Sequence, residues 1–154
     1  MSATEGKKAP DFTAATDGGG TLKLSALRGK PVVLYFYPKD DTPGCTTEAR
    51  GFSDRQAEFA KLGATVTGVS KDSVARHDKF KAKYELNFPL VSDADGAICE
   101  KYGTWIEKSL YGRKYMGIER ATFLIDSTGT LRKAWHKVKV AGHVEDVLAA
   151  LKAL

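Results

Sequence analysis

The residue types best suited to nucleophilic or redox chemistry in this sequence are its two cysteines, and their settings differ. Cys45 follows a nearly all-apolar run, Pro31-Val-Val-Leu-Tyr-Phe-Tyr37, and a loop with two prolines, Pro38 to Gly44. From Cys45 to about Leu62, Phe52, Ala57, Phe59 and Leu62 recur at roughly helical intervals, so a helix is expected to begin near Cys45. A cysteine in a first helical turn meets unpaired backbone N–H groups and the positive end of the helix dipole. Both stabilise the thiolate, which is the nucleophilic form of the group. Asp40, Asp41, Thr42, Thr46, Thr47 and Glu48 surround it with polar groups. That composition places the thiol on a wet rim and favours a reactive cysteine over a small buried hydrophobe. Cys99, inside Ala97-Ile-Cys-Glu-Lys-Tyr102, is expected to be a buried, inert residue of a short amphipathic helix.

Other thiol and histidine chemistries are poorly supported. Two cysteines are too few for a disulfide framework, and neither forms a C-x-x-C pair. His77, His136 and His143 show no ligand spacing, so no metal is expected, and all three read as structural or exposed. A thiol–disulfide oxidoreductase would need a second nearby thiol, whereas Thr42-Pro-Gly-Cys45 has threonine in that place.

The elements that must position Cys45 follow from periodicity and turn residues. Phe12 to Thr16 and Thr21-Leu-Lys-Leu24 read as a hairpin around Asp17-Gly-Gly-Gly20, and Ser25 as the cap of a one-turn helix ending at Gly29. Pro31 to Tyr37 is a central strand and Ala64-Thr-Val-Thr-Gly-Val69 a second buried one. Asp72 or Ser73 caps a helix through about Tyr84; Asn87 to Val91 is a short strand, and Ala97 to Tyr102 a helix that Gly103 ends. Ala121 to Asp126 and Leu131 to Trp135 flank Ser127-Thr-Gly129 as a hairpin, and Val144 to Leu154 is the last helix. Thr104 to Glu119, with Trp105, Tyr111, Tyr115 and Met116, reads as the least regular part, a loop over the site. The expected fold is α/β: a three-layer sandwich with a central mixed β-sheet and helices on both faces, formed by residues 1–154 as one domain.

Hydrophobic residues at 42% and charged residues at 28% fit an ordinary globular chain, which rules out disordered and fibrous classes. The longest apolar stretch is strand-sized, so no membrane partner is expected. Met1 to Pro10 has no apolar export segment or twin-arginine pair, which leads to a cytoplasmic expectation. The net charge of +5 comes from lysines scattered among nearly as many acids, and the basic run Arg132 to Lys139 alternates like a strand face. No nucleic-acid partner is expected.

The segment Pro38-Lys-Asp-Asp-Thr42-Pro-Gly-Cys45 matches the P-x-x-x-T-x-x-C signature of peroxiredoxins. Its extended form through Glu48 resembles the Q-type subgroup, also called bacterioferritin comigratory proteins. The resemblance runs from Ala9-Pro-Asp-Phe12 through Ile118-Glu-Arg-Ala-Thr-Phe-Leu-Ile125 to Lys137-Val-Lys-Val-Ala-Gly-His143. It implies a thioredoxin-like fold and a thiol-dependent peroxidase acting on hydrogen peroxide and organic hydroperoxides without a cofactor. It further implies that Cys45 is the peroxidatic cysteine, Thr42 the hydroxyl that bonds peroxide oxygen, Pro38 the shield of the thiolate and Arg120 the cation beside it. Donors from Thr42, Arg120 and backbone N–H groups would then stabilise charge on the leaving oxygen. Arg120 can also be read as a surface arginine at a strand entrance. Glu48, one turn after Cys45, would either bond Arg120 or serve as a helix-start acid, and with Gly44 of the motif it is a supporting residue.

The chain departs from its resemblance in one respect. Where many Q-type relatives carry a resolving cysteine this sequence has Arg50, and where another group carries one on the next helix Lys81 aligns. One-Cys behaviour is therefore expected, with the sulfenic acid reduced by thioredoxin, glutaredoxin or a small thiol, in a monomer, with a dimer also compatible. The competing reading is a redox-dependent binding or chaperone module of the same fold without peroxidase turnover.

Overall fold

Five consecutive apolar residues, Val32–Phe36, form strand β3 and are all buried, because both faces of the sheet they occupy are covered. The computed structural model describes residues 3–154; Met1 and Ser2, at the start of the segment read for an export signal, lie outside the described residues. Around β3 the chain supplies β1 (Thr13–Ala15), β2 (Thr21–Lys23), α1 (Pro43–Asp54), α2 (Gln56–Lys61), β4 (Thr65–Ser70), α3 (Val74–Tyr84) and β5 (Leu90–Ser92). These are followed by α4 (Ala97–Lys101), β6 (Trp105–Leu110), β7 (Arg113–Ile118), β8 (Ala121–Ile125), β9 (Leu131–Trp135) and α5 (His143–Lys152). The central sheet has the order β5-β4-β3-β8-β9, with β3 parallel to β4, β4 parallel to β5, and β8 antiparallel to both β3 and β9.

Alternation along β3 divides the core into two layers. Val33, Tyr35 and Tyr37 pack with Cys45 and Phe52 of α1, Phe80 of α3 and Val147 and Leu151 of α5. Val32, Leu34 and Phe36 pack on the other face with Phe12, Leu24, Ile98 and Cys99. The mixed sheet between helical layers is the α/β sandwich expected from the sequence, although α4 shares its face with the β1–β2 hairpin.

Local details differ from the sequence reading for identifiable reasons. The helix expected through Leu62 breaks at Arg55, whose φ of −102° and ψ of 7° leave the helical region, giving α1 and α2. Ser25 caps nothing: it lies inside a short 3₁₀ turn, Leu24–Leu27, and its N–H donates to Asp11 Oδ1 at 2.9 Å. Ser73, not Asp72, caps α3 by accepting the Arg76 N–H at 3.2 Å. The largest correction concerns residues 104–119. They form a regular antiparallel ribbon, β6–β7, paired from Trp105↔Ile118 to Leu110↔Arg113, with Tyr111 and Gly112 both at positive φ in a two-residue turn.

Candidate active site

Thr42 adopts extended backbone, and Pro43, whose fixed φ suits a first helical position, starts α1. The first ladder bond of the helix runs from Thr46 N–H to the Thr42 carbonyl at 2.8 Å. The N–H groups of Gly44 and Cys45 precede that bond and lie at the positive end of the helix. Cys45 is thus in the first turn, as the sequence requires, but its side chain does not face a wet rim. It is only 1% exposed and shares a buried stripe with Glu48, Ala49 and Phe52. The polar flanks misled the sequence reading because adjacent helical residues point in different directions, and Thr47 and Arg50 occupy the solvent side.

Arg120 enters the site from the start of β8. Its Nη2 lies 3.4 Å from Cys45 Sγ, and its Nη1 donates to Glu48 Oε1 at 2.7 Å. Cys45, Arg120 and Glu48 therefore form one cluster, and the alternative reading of Arg120 as a surface residue does not hold: its side chain is 16% exposed and that of Glu48 is fully buried. Burial pushes the Glu48 carboxyl up to about 7, against the opposing pull of Arg120. Glu48 Oε2 has no hydrogen-bond partner among the described residues, which adds to the penalty on its charged form. The Arg120 proton is held more firmly than usual, since Glu48 and Cys45 outweigh its own burial.

Thr42 Oγ1 donates to the Lys39 carbonyl at 2.9 Å. With that hydrogen engaged, the oxygen offers a further partner its acceptor lone pairs. Pro38 is half-buried at the exit of β3 and lines a groove with Lys39, Trp105, Lys108, Met116 and Ile118. Lys108, absent from the sequence-level site, is close enough to feel both Arg120 and Cys45. Burial and Arg120 lower its proton affinity while Cys45 and Glu119 raise it. Its signal was hidden because residues 104–119 did not read as a strand.

Gly44 has a specific steric role. A Cβ added there would stand 3.1 Å from Arg120 Nη2, tighter than ordinary contact. Gly44→Ala improves helix propensity, so the expected effect is local: the guanidinium shifts off the sulfur and the reaction of Cys45 with peroxide slows by on the order of tenfold. Stopped-flow oxidation of the reduced variant checks this, and a wild-type rate would show that the close approach of Arg120 is immaterial.

The remaining chemistry-bearing residues divide clearly. Cys99 is fully buried on the opposite face of the sheet, its thiol pushed far up by burial and by Asp93, which also accepts the Cys99 N–H at 2.8 Å. Arg50 donates to the Tyr84 carbonyl at 2.7 Å, and Lys81 pairs with Asp17 at 2.8 Å. His143 is buried with Nε2 2.7 Å from Thr122 Oγ1, and burial lowers it to about 4, so it is neutral. His136 meets Glu119 at 2.8 Å at the surface. His77 is buried against Asp40, a pairing that no sequence spacing announced. Asp40, Asp72 and His77 are the one described group close enough to share a cation, and their facing atoms already hydrogen-bond one another, Tyr37 and Ser70. No helix among the described residues is long and apolar enough to cross a membrane.

Comparison with known proteins bears on family and fold. Residues 5–134 match the model of the AhpC/TSA family. A putative peroxiredoxin Bcp of Coxiella burnetii is 55% identical over 151 residues, covering 98% of this chain and 100% of that protein. Peroxiredoxin Bcp of Bacillus subtilis is 52% identical over 147 residues, covering 96% and 94%. A solved structure of the Xanthomonas campestris bacterioferritin comigratory protein, studied for alkyl peroxide reduction, superposes with a TM-score of 0.91 at 48% identity over 97% of this chain and 98% of that one.

Proposed function

Because the chain belongs to the AhpC/TSA family and within it to the Q-type peroxiredoxins, which are thiol-dependent peroxidases, we propose that Cys45 is its peroxidatic thiolate. The observation that carries this reading is the single cluster of helix N-terminus, Cys45 Sγ and Arg120, with the guanidinium 3.4 Å from the sulfur. The sulfur attacks the nearer peroxide oxygen; an S–O bond forms, the O–O bond breaks, and the sulfur is oxidised by two electrons. The leaving oxygen departs with the electron pair and takes a proton to become water or an alcohol. Arg120 and the free N–H groups of the first turn stabilise that developing charge, while the Thr42 hydroxyl accepts a hydrogen bond from the peroxide O–H. Glu48 keeps Arg120 over the sulfur, Gly44 leaves room for it, and Pro38 covers the approach. The likeness to the Xanthomonas campestris protein extends the substrate class to alkyl hydroperoxides.

Reduction proceeds through an external thiol in this reading, and the whole chain acts as one domain. Cys45 and Cys99 lie in separate core layers on opposite faces of the sheet, so an intramolecular disulfide would need extensive unfolding. One external thiol displaces water from the sulfenic acid to give a mixed disulfide, and a second releases Cys45. Treating reduced wild type and Cys99→Ser with one equivalent of hydrogen peroxide and a sulfenic-acid trap should label Cys45 equally in both. Excess peroxide should carry Cys45 on to sulfinic acid. A Cys45–Cys99 disulfide as the main product, with turnover lost in Cys99→Ser, would contradict the one-Cys assignment.

A further inference from the structure

Between Pro38 and Cys45 the chain makes a tight passage in which Asp41 holds a φ of 59°, a left-handed conformation uncommon for a non-glycine residue. One residue earlier, Asp40 is 3% exposed and fixed from three sides. Its Oδ1 accepts the Tyr37 hydroxyl at 2.6 Å, its Oδ2 lies 2.6 Å from His77 Nδ1, and its N–H donates to Asp72 Oδ2 at 2.9 Å. His77, fully buried on α3, completes the arrangement with Nε2 2.9 Å from the carbonyl oxygen of Val91. A carbonyl oxygen only accepts, so Nε2 carries a hydrogen. With Asp40 ionised, its Oδ2 can only accept, so Nδ1 is the donor across that 2.6 Å contact and carries a hydrogen as well. A ring with two N–H groups is an imidazolium.

We propose that His77, held as an imidazolium between the Asp40 carboxylate and the Val91 carbonyl, is a positioning residue for peroxide reduction that fixes the turn presenting Thr42 and Cys45. The proposal rests on the reading of Cys45 and Thr42 given above. The mechanical link is short. Asp40 adjoins Lys39, whose carbonyl receives the Thr42 hydroxyl, and it adjoins Asp41, which Tyr84 and Lys83 hold from the end of α3. If Asp40 moves, the Lys39 carbonyl moves with it and the Thr42 hydroxyl loses the partner that orients its acceptor lone pairs.

The charged and titratable groups facing His77 are Asp40 and Tyr37 from the exit of β3, and Asp72 from the segment between β4 and α3, paired with Arg76 of α3. Burial alone would drive the ring neutral; the Asp40 carboxylate, with the Val91 carbonyl and Asp72, outweighs it and raises its proton affinity. A group whose folded pKa is raised stabilises the fold fully below its ordinary value and loses that contribution as pH rises through the folded one. The turn is therefore held most firmly below the ordinary histidine range and loosens as pH rises through the raised folded value.

The test uses the reduced full-length chain and three readouts. Nitrogen-detected NMR of wild type should show both His77 ring nitrogens protonated at pH 7, a signature a merely packed neutral histidine would not give. The second-order rate with hydrogen peroxide should fall in His77→Gln by about tenfold, whereas alkylation of Cys45 by iodoacetamide, which needs the thiolate but not Thr42, should fall by less than about threefold. The alkaline fall in the wild-type peroxide rate should follow the NMR titration of His77 and vanish in His77→Gln. Tyr37→Phe keeps the ion pair and loses only one bond to Asp40; it should slow peroxide alone by about threefold, and it decides the matter together with the NMR if His77→Gln does not fold. A neutral wild-type ring at pH 7, equal losses with both reagents, or wild-type peroxide rates in the variants would overturn the proposal. Failure of the Cys45 reading itself would look different, because unmodified protein would then consume peroxide without oxidation of Cys45.

Discussion

Cys45→Ser loses peroxidase turnover entirely while retaining the fold. The hydroxyl is smaller than the thiol and fits the same buried stripe beside Ala49 and Phe52, so packing changes little. The chemistry changes completely. A serine hydroxyl is not ionised by a helix N-terminus and one guanidinium, and oxygen cannot take up a peroxide oxygen to give a sulfenic acid analogue that thiols reduce. Arg120 and the first-turn N–H groups remain in place, but the leaving oxygen they would stabilise no longer forms. A coupled assay with an excess of dithiol reductant measures the loss. Turnover in this variant above the rate without protein would move the nucleophile elsewhere.

Arg120→Ala has the next largest effect, and it acts on rate and stability together. Removing the donor 3.4 Å from the sulfur should slow oxidation of Cys45 by about 10²- to 10³-fold, the usual penalty for losing one donor to a developing oxyanion. It also leaves Glu48 buried without its partner, which should destabilise the fold on the order of 3 kcal/mol where the carboxylate is charged. Burial already pushes Glu48 up to about 7, and without Arg120 it rises further. Since a carboxyl with a raised folded pKa favours the protonated native state, the stability of the variant is greatest in mild acid and is lost as pH rises through that value. Denaturant melts of the variant should therefore show a larger deficit against wild type at about pH 8 than at about pH 5.5. A pH-independent deficit would mean that Glu48 is not the orphaned group.

The parts of this site written in consecutive residues were legible, and those that depend on meeting across the fold were not. The apolar strand, the Pro-rich loop and the helical periodicity after it placed Cys45 in a first turn because all three signals are local. The polar sequence neighbours of Cys45 conceal the depth of its thiol, although Cys45, Glu48, Ala49 and Phe52 carry the spacing of a buried stripe. Local sequence leaves Glu48 two roles, and its bond to Arg120, 72 residues away, is made only in the fold. Asp40 and His77 are 37 residues apart and meet only because α3 packs against the exit of β3. The β6–β7 ribbon was hidden for a different reason. Its turn is Tyr111-Gly112, and a tyrosine at a φ of 51° lacks the asparagine or aspartate that usually marks such a turn.

The central claim is that Cys45 itself consumes peroxide. Adding hydrogen peroxide to fully reduced protein with no reductant present, and measuring peroxide lost against thiol lost at each cysteine by mass spectrometry, tests this directly. With peroxide at no more than one equivalent, all of it is consumed in wild type and in Cys99→Ser, with Cys45 oxidised, and none is consumed in Cys45→Ser. Peroxide loss that persists in Cys45→Ser, or that tracks oxidation of Cys99, would contradict it.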